Sequence, residues 1–327
     1  MSTLPSDVPQ VAPKPGSLIT FVRRHPLFSY FFITYLLSWL GWVPLVLSQM
    51  GLLPFRFPGP PGANLGILGG FLGPIGSAFL CTVLVSGKTG LRQFLRRFIL
   101  WRVGFQWYVF AVLACPILIM LGIFATVPNA LAAFIPSMLP SVLLIFVGLL
   151  IAGLFVSGLI EEPGWRGFAL PRLQERYGPL TGSLILGFFW GLWHLPLFTI
   201  PGYDGAGTSF LSIMLPWAEF TVALMALSII MTWVFNHTKG SILIAMITHS
   251  SIDGFPRALL FPASYLSALV SPLTLVAWPV LAIILLIVTQ GKLGYQGNVA
   301  TPVPQGLPSE SELLDKAGAE TLDKKEL

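Results

Sequence analysis

Charge is scarce in this chain. Of its 327 residues only 9% are Asp, Glu, Lys or Arg, against about a quarter in soluble domains, and the mean hydropathy of +0.82 excludes an ordinary soluble protein. Cysteine is scarcer still. Cys81 and Cys115 are the only two and both lie inside apolar runs, which argues against a disulfide framework and a thiolate metal site. Also lacking are an H-E-x-x-H pair, a Ser or Cys in a nucleophile motif, an internal repeat, and a small-residue cleavage site after a short apolar segment. The polar first residues, ending in Arg23 and Arg24, therefore read as the lead-in to an uncleaved signal-anchor.

What is abundant is apolar sequence in runs of about 20 residues, enough to cross a ~30 Å hydrocarbon core as helix. The runs fall at 27–48, 64–86, 107–127, 140–160, 181–200, 213–235, 241–255 and 268–289. The expected fold is all-α, a polytopic membrane bundle of about eight transmembrane helices. The chain divides into a polar segment 1–26, a membrane-embedded domain 27–290, and a tail 291–327 whose prolines and mixed charges predict disorder.

The net charge of +5 and a pI near 9.4 do not point to nucleic acid, because the basic residues lie in the loops between spans. With the N-terminus in the cytoplasm, sixteen of the eighteen Lys and Arg residues face that side, leaving only Arg56 and Arg257 outside. This positive-inside bias predicts cytoplasmic N- and C-termini in a multi-pass protein of the cell membrane. Between the second and third runs, Leu91, Phe94, Leu95, Phe98 and Ile99 share one helical face and Arg92, Gln93, Arg96 and Arg97 the other. That pattern predicts an interfacial helix on anionic lipid, or a plain basic topology loop.

Against this background the segment Gly158–Tyr177, GLIEEPGWRGFALPRLQERY, stands out. Adjacent carboxylates Glu161 and Glu162 close an apolar run and Arg166 follows within about a turn. Bare carboxylates there are costly in lipid and call for a functional reason. His194 and His249 also lie inside apolar helices, and Asp253 stands one turn after His249 on the same face. Any one of these could be polar glue between helices. Six ionisable groups on three helices point to a site. His25 and His237 read as solvated loop residues, and Glu219, toward the outer side, stays outside the site.

A carboxylate, two imidazoles and a second carboxylate in a partly dry cavity suit water activation. Burial raises the basicity of a glutamate, and imidazole can orient the water or stabilise an oxyanion. Metal participation is open: the cofactor is either none or zinc, with His194, His249 and Asp253 as the candidate ligands.

The ordered motifs Glu161-Glu162-x-x-x-Arg166, Trp190-x-x-x-His194 and His249-x-x-x-Asp253 resemble those of the CPBP intramembrane proteases. That family includes the Ras-converting type of CAAX prenyl endopeptidase and relatives linked to bacteriocin processing and self-immunity. The resemblance extends from about Leu91 to Phe255, taking in the Thr238-Lys-Gly-Ser241 turn. It implies an eight-helix fold with a cavity open to the cytoplasm. It also implies that Glu161 and His194 activate water, that His249 and Asp253 stabilise the oxyanion, and that Glu162 and Arg166 support them. The partners it implies are a peptide or membrane-associated protein substrate, possibly lipidated, and membrane lipid, with no nucleic acid.

Two positions depart from the family pattern. Trp190 stands where Phe is usual and reads as harmless, both residues lining a helix face. Asp253 stands where Asn is common in the prenyl-processing branch, which bears on its oxyanion role. A geometric difficulty also follows. His194 lies thirteen residues into its run, or ~20 Å along the axis, while Glu161 sits near the end of its own. The two meet only if the fifth helix protrudes or tilts, or if the fourth continues past Arg166 despite Pro163 and Gly164. Outside the hydrolases, a non-catalytic scaffold or bacteriocin-immunity protein would keep the same polar cluster, and a proton-coupled transporter would use it as a relay.

Overall fold

In a computed structural model the described residues are 17–57, 65–126, 139–200, 203, 206–260 and 267–297. The polar segment before residue 17 and the tail beyond 297 lie outside them. Every regular element among the described residues is helical. A short helix α1 (Ser17–Arg24) leads into α2 (Pro26–Gln49), followed by α3 (Leu68–Ile99), α4 (Phe105–Thr126), α5 (Leu139–Tyr177), α6 (Pro179–His194), α7 (Phe210–His237), α8 (Ile242–Leu260) and α9 (Ser267–Thr289). Each of the helices α2 to α9 overlaps one of the eight apolar runs, α3 and α5 extending well past the ends of theirs. Six of them, α2 to α7, are long and apolar enough to cross a membrane; α8 is diluted by His249, Ser250, Ser251, Asp253 and Arg257, and the qualifying apolar part of α9 is Val276–Thr289.

Glycine sets how closely these helices pack. On α3, Gly69 and Gly73 lie four residues apart against α2, where Ser38 donates its hydroxyl to the Gly69 carbonyl at 2.8 Å. On α5, Gly153 and Gly158 lie against Ser250 and Met246 of α8, and on α6, Gly187 and Gly191 lie against Met225 and Thr221 of α7. Side-chain-free positions let backbones approach where lipid offers no hydrophobic drive for association. Both helices that carry acidic and imidazole groups opposite one another, α5 and α8, are thereby drawn together.

The fourth apolar run continues well beyond its expected end at residue 160. Its helix reaches Tyr177 through two π-helical segments, Leu154–Gly158 and Pro163–Ala169. Pro163 lacks an N–H and would break an α-helix; at the first position of a π-segment it is accommodated, and π-turns of this kind recur at functional sites. A third π-segment, Phe71–Ile75, carries Pro74 on α3. The chain finally turns at Gly178, whose φ of 78° suits a residue without a Cβ. Continuation of the fourth helix past Arg166 is thus how the chain meets the axial mismatch between Glu161 and His194.

The basic amphipathic segment 91–99 is helical and follows a kink at Gly87 (φ 60°, ψ −156°). Its apolar face is split: Leu95 and Ile99 are exposed, while Phe94 is buried against Phe79 and Phe98. Arg97 departs from the polar face and donates from Nη1 to the Gly167 carbonyl at 3.2 Å, so part of this helix braces the π-segment of α5. The tail also begins later than 291. Leu293 is fully buried and its carbonyl accepts from Asn236 Nδ2 at 3.0 Å, which ties residues 291–297 to the end of α7. Likewise α1, inside the expected polar segment, buries Val22 and donates from Arg23 Nε to the Leu84 carbonyl at 2.9 Å.

Candidate active site

The two glutamates, adjacent in sequence, point to different partners. Glu161 Oε2 accepts two indole N–H bonds, from Trp165 Nε1 at 3.1 Å and Trp190 Nε1 at 2.6 Å. Glu162 Oε1 accepts from Arg166 Nη1 at 3.0 Å and sits 2.6 Å from His249 Nδ1. Each glutamate therefore has one partner four residues on along its own helix, Trp165 for Glu161 and Arg166 for Glu162, and one from across the bundle, the spacing that stacks side chains on a helical face. Glu162 and Arg166 are completely buried, whereas Glu161 retains 9% exposure. Glu161 is thus the less deeply buried carboxylate of the pair.

His249 stands on α8, whose start is fixed by Ser241: its hydroxyl accepts from the Ile244 N–H at 3.2 Å and donates to the Leu100 carbonyl at 2.7 Å. One turn beyond His249, Asp253 Oδ2 lies 3.7 Å from His249 Nε2 and 3.5 Å from Arg257 Nη1. Arg166, Glu162, His249, Asp253 and Arg257 thus form a continuous row of alternating charge-bearing groups. It runs from full burial at Arg166 to an exposed guanidinium at Arg257.

His194 ends α6. Pro196 has no N–H to extend the helix, and the chain passes into a 3-10 turn over Leu195–Thr199. The His194 ring is half-buried between Trp193 and Phe220, with centroids 4.6 and 5.0 Å away, and its Nδ1 lies 2.9 Å from the Trp190 carbonyl. Three aromatic donors from neighbouring helices hold the same stretch of backbone. Tyr35 reaches the Phe189 carbonyl at 2.6 Å, Trp217 the Gly191 carbonyl at 2.9 Å, and Trp39 the Trp193 carbonyl at 2.9 Å. A helix end bound by that many polar contacts in an apolar setting has little freedom to shift.

All six residues singled out in the sequence lie on α5, α6 and α8, but they are not equally joined. Glu162, Arg166, His249 and Asp253 form the row described above. Glu161 touches that row indirectly: Trp190 donates to Glu161, its ring lies under the Arg166 guanidinium at 4.4 Å, and its edge meets His249 at 5.4 Å. No hydrogen bond joins His194 to Glu161 among the described residues; Trp190 links them, through its indole to one and its carbonyl to the other. Trp190 is therefore not interchangeable with Phe, since Phe has no N–H to give. Trp190 reads as harmless in the sequence and Trp165 is not singled out there, because each looks like an apolar helix residue; for Trp165 the available signal is its position four residues after a glutamate that closes an apolar run. Glu219 is exposed on α7.

The candidate zinc ligands do not fit a metal ion as arranged. Both nitrogens of His249 face carboxylates, His194 Nδ1 faces a backbone carbonyl, and among the described residues no three His, Cys, Asp or Glu side chains gather about one point. A four-coordinate zinc site requires such convergence.

Comparison with known proteins bears on the same segment. The family model for the type II CAAX prenyl endopeptidase Rce1-like proteins matches residues 143–255, a stretch that runs from α5 to α8 and contains all six residues. The chain is also similar to CAAX prenyl protease 2 of Methanococcus maripaludis, with 33% identity over 105 residues, 31% of this chain and 36% of that protein. The chain thus spans about a third of the length of the curated relative it matches. The likeness to CAAX proteases that the three motifs carry is shown over residues 143–255, the part of the chain that builds the site.

Proposed function

We propose that this protein is an intramembrane endopeptidase that hydrolyses a peptide bond near the cytoplasmic surface of the cell membrane. The observation that carries this reading is the division of labour between the glutamates. Glu162 is completely buried and gives Oε1 to a guanidinium and an imidazole, while Glu161 has Oε2 held by two neutral indoles and keeps 9% exposure. A carboxylate so placed is suited to take a proton from water, with the half-buried His194 completing the water's hydrogen bonds.

The attacking water gives its proton to Glu161 as its oxygen bonds to the substrate carbonyl carbon and the carbonyl π electrons move onto oxygen; when those electrons return, the C–N bond breaks and Glu161 passes the proton to the leaving amine. His249, held against Glu162, is the group that donates to the developing oxyanion; Asp253, a carboxylate with no proton to offer it, acts by holding His249 in place. Arg166 and Glu162 fix His249 from behind. No step is assigned to a metal, because the donors do not converge.

By analogy with the relatives, the substrate is a peptide or the C-terminal segment of a membrane-associated protein, with a lipidated cysteine as the group that would bring it to the bilayer. The positive-inside bias of the loops supports cytoplasmic termini and a site reached from the side where such segments are found.

The test is cleavage of one peptide, prepared with and without a prenyl group on its cysteine, by purified protein in proteoliposomes. Wild type is compared with Glu161→Ala and His194→Ala, with and without chelator. The expected result is cleavage by wild type that survives chelation and falls by roughly 10³-fold or more in either variant. Full activity in both variants would sink the assignment; loss on chelation with recovery on added zinc would restore the metal to the mechanism. Proton-coupled uptake without cleavage would replace a peptidase with a transporter.

A further inference from the structure

Trp190 has more to do with the site than its place in an apolar helix suggests. It is 3% exposed, and a buried indole N–H must find an acceptor. Its acceptor is Glu161 Oε2 at 2.6 Å, a short contact of the kind made to a charged oxygen. Trp165 Nε1 adds a second bond to the same atom at 3.1 Å. Both donors fall on Oε2, and none of the described side chains donates to Oε1. Trp190 also touches three further residues of the site, through the Arg166 guanidinium above its ring, the His249 ring beside it, and the His194 Nδ1 at its carbonyl.

We infer that Trp190 is a positioning residue that, together with Trp165, pins Oε2 of Glu161 and leaves Oε1 as the atom that accepts the proton of the attacking water. This rests on the peptidase reading above and deepens it. Without the two N–H groups the carboxylate would rotate about its terminal bond, a broad, roughly two-fold torsion, and present either oxygen. With them, one oxygen is saturated and the other has a fixed direction. The indoles also replace the water that a buried carboxylate would otherwise need, so the site can hold this charge without flooding the cavity.

A purely structural alternative is that Trp190 fills space between α5, α6 and α8. The variant that separates the two is Trp190→Phe, which keeps an aromatic ring beneath Arg166 and beside His249 but removes the donor. Two measurements are made on the full chain in nanodiscs. One is the NMR resonance of the Trp190 indole N–H, assigned by its loss in Trp190→Phe, in wild type and in Glu161→Gln. The other is steady-state peptide cleavage by wild type, Trp190→Phe, Trp165→Phe and the double variant, alongside thermal unfolding of each.

The inference expects a downfield indole proton that moves upfield in Glu161→Gln. It also expects kcat reduced roughly 10- to 100-fold in Trp190→Phe, as for a misplaced catalytic group, with KM within about twofold of wild type. The double variant should be slower than either single one. An indole proton at an ordinary position and unmoved by Glu161→Gln would overturn it. So would a Trp190→Phe protein that melts early yet turns over like wild type. If the resonance behaves as expected but wild type cuts no peptide, the tie between Trp190 and Glu161 stands and the peptidase reading fails, so the two are told apart.

Discussion

His249 places Nδ1 2.6 Å from Glu162 Oε1 and, through its other nitrogen, faces Asp253 Oδ2 at 3.7 Å. An imidazole held between a fully buried carboxylate and a partly exposed one has its orientation set from inside the protein. The tight contact is to Glu162, so the second glutamate of the motif acts on the site through His249 as well as through Arg166.

Removal of either glutamate should therefore have opposite consequences for stability and turnover. Glu162→Ala leaves the Arg166 guanidinium buried without its carboxylate, a loss that costs about 3–5 kcal/mol in comparable buried pairs. Glu161→Ala removes no ion pair and leaves two indoles to rearrange, so its thermal midpoint in detergent should stay closer to wild type while cleavage is abolished. Thermal unfolding and peptide cleavage measured on both variants check this. Equal melting of the two would show that Glu162 is not the structural member of the pair.

Asp253 and Arg257 form an exposed i,i+4 pair, 3.5 Å apart with the arginine side chain 60% exposed. Solvent screening limits such a pair to about 0.2–1 kcal/mol. The expected outcome is that Arg257→Ala barely alters stability, whereas Asp253→Asn, which restores the residue common in the prenyl-processing branch, retains cleavage because an amide can still meet His249 Nε2. A double-mutant cycle on kcat would show coupling between Asp253 and His249 larger than that between Asp253 and Arg257. The reverse order would assign Asp253 to the surface pair alone.

The helices and their order were legible in the sequence because lipid demands long apolar runs, and those runs leave the charged residues conspicuous. Glu161, Glu162, Arg166, His194, His249 and Asp253 could be picked out for that reason. What the runs concealed was backbone detail. Pro163 and Gly164 read as helix breakers, yet a π-segment over Pro163–Ala169 carries the helix through them and turns Trp165 and Arg166 back toward the glutamates. Trp190 was concealed by its own chemistry, being apolar in every respect but one N–H. The prolines and mixed charges that mark the tail as polar lie beyond residue 297, whereas Gly291, Gly294 and Gly297 supply the positive φ angles of a packed turn around the buried Leu293.

Gly164 offers a last prediction that joins this backbone detail to activity. It occupies the π-segment next to Glu162 and lies where α5 passes α2 and α3. A Cβ built there would meet the Tyr30 hydroxyl and come within 2.7 Å of the Pro74 carbonyl and 2.8 Å of the Pro74 Cβ. The backbone carbonyl belongs to a second π-segment and cannot swing aside as a side-chain tip would. Tyr30 is itself wedged against Trp165 and Phe168, at centroid distances of 5.9 and 5.0 Å. Gly164→Ala should therefore push α5 away from α3, at a cost of about 1–3 kcal/mol for overpacking, and shift Trp165 relative to Glu161. Thermal unfolding should report the first effect and kcat the second. The expected result is a loss of turnover larger than the loss of folded protein at the assay temperature, because the displaced indole is one of the two that orient the catalytic carboxylate. Wild-type turnover in a folded Gly164→Ala protein would mean that the close approach of Gly164 to Tyr30 and Pro74 has no bearing on how Glu161 is held.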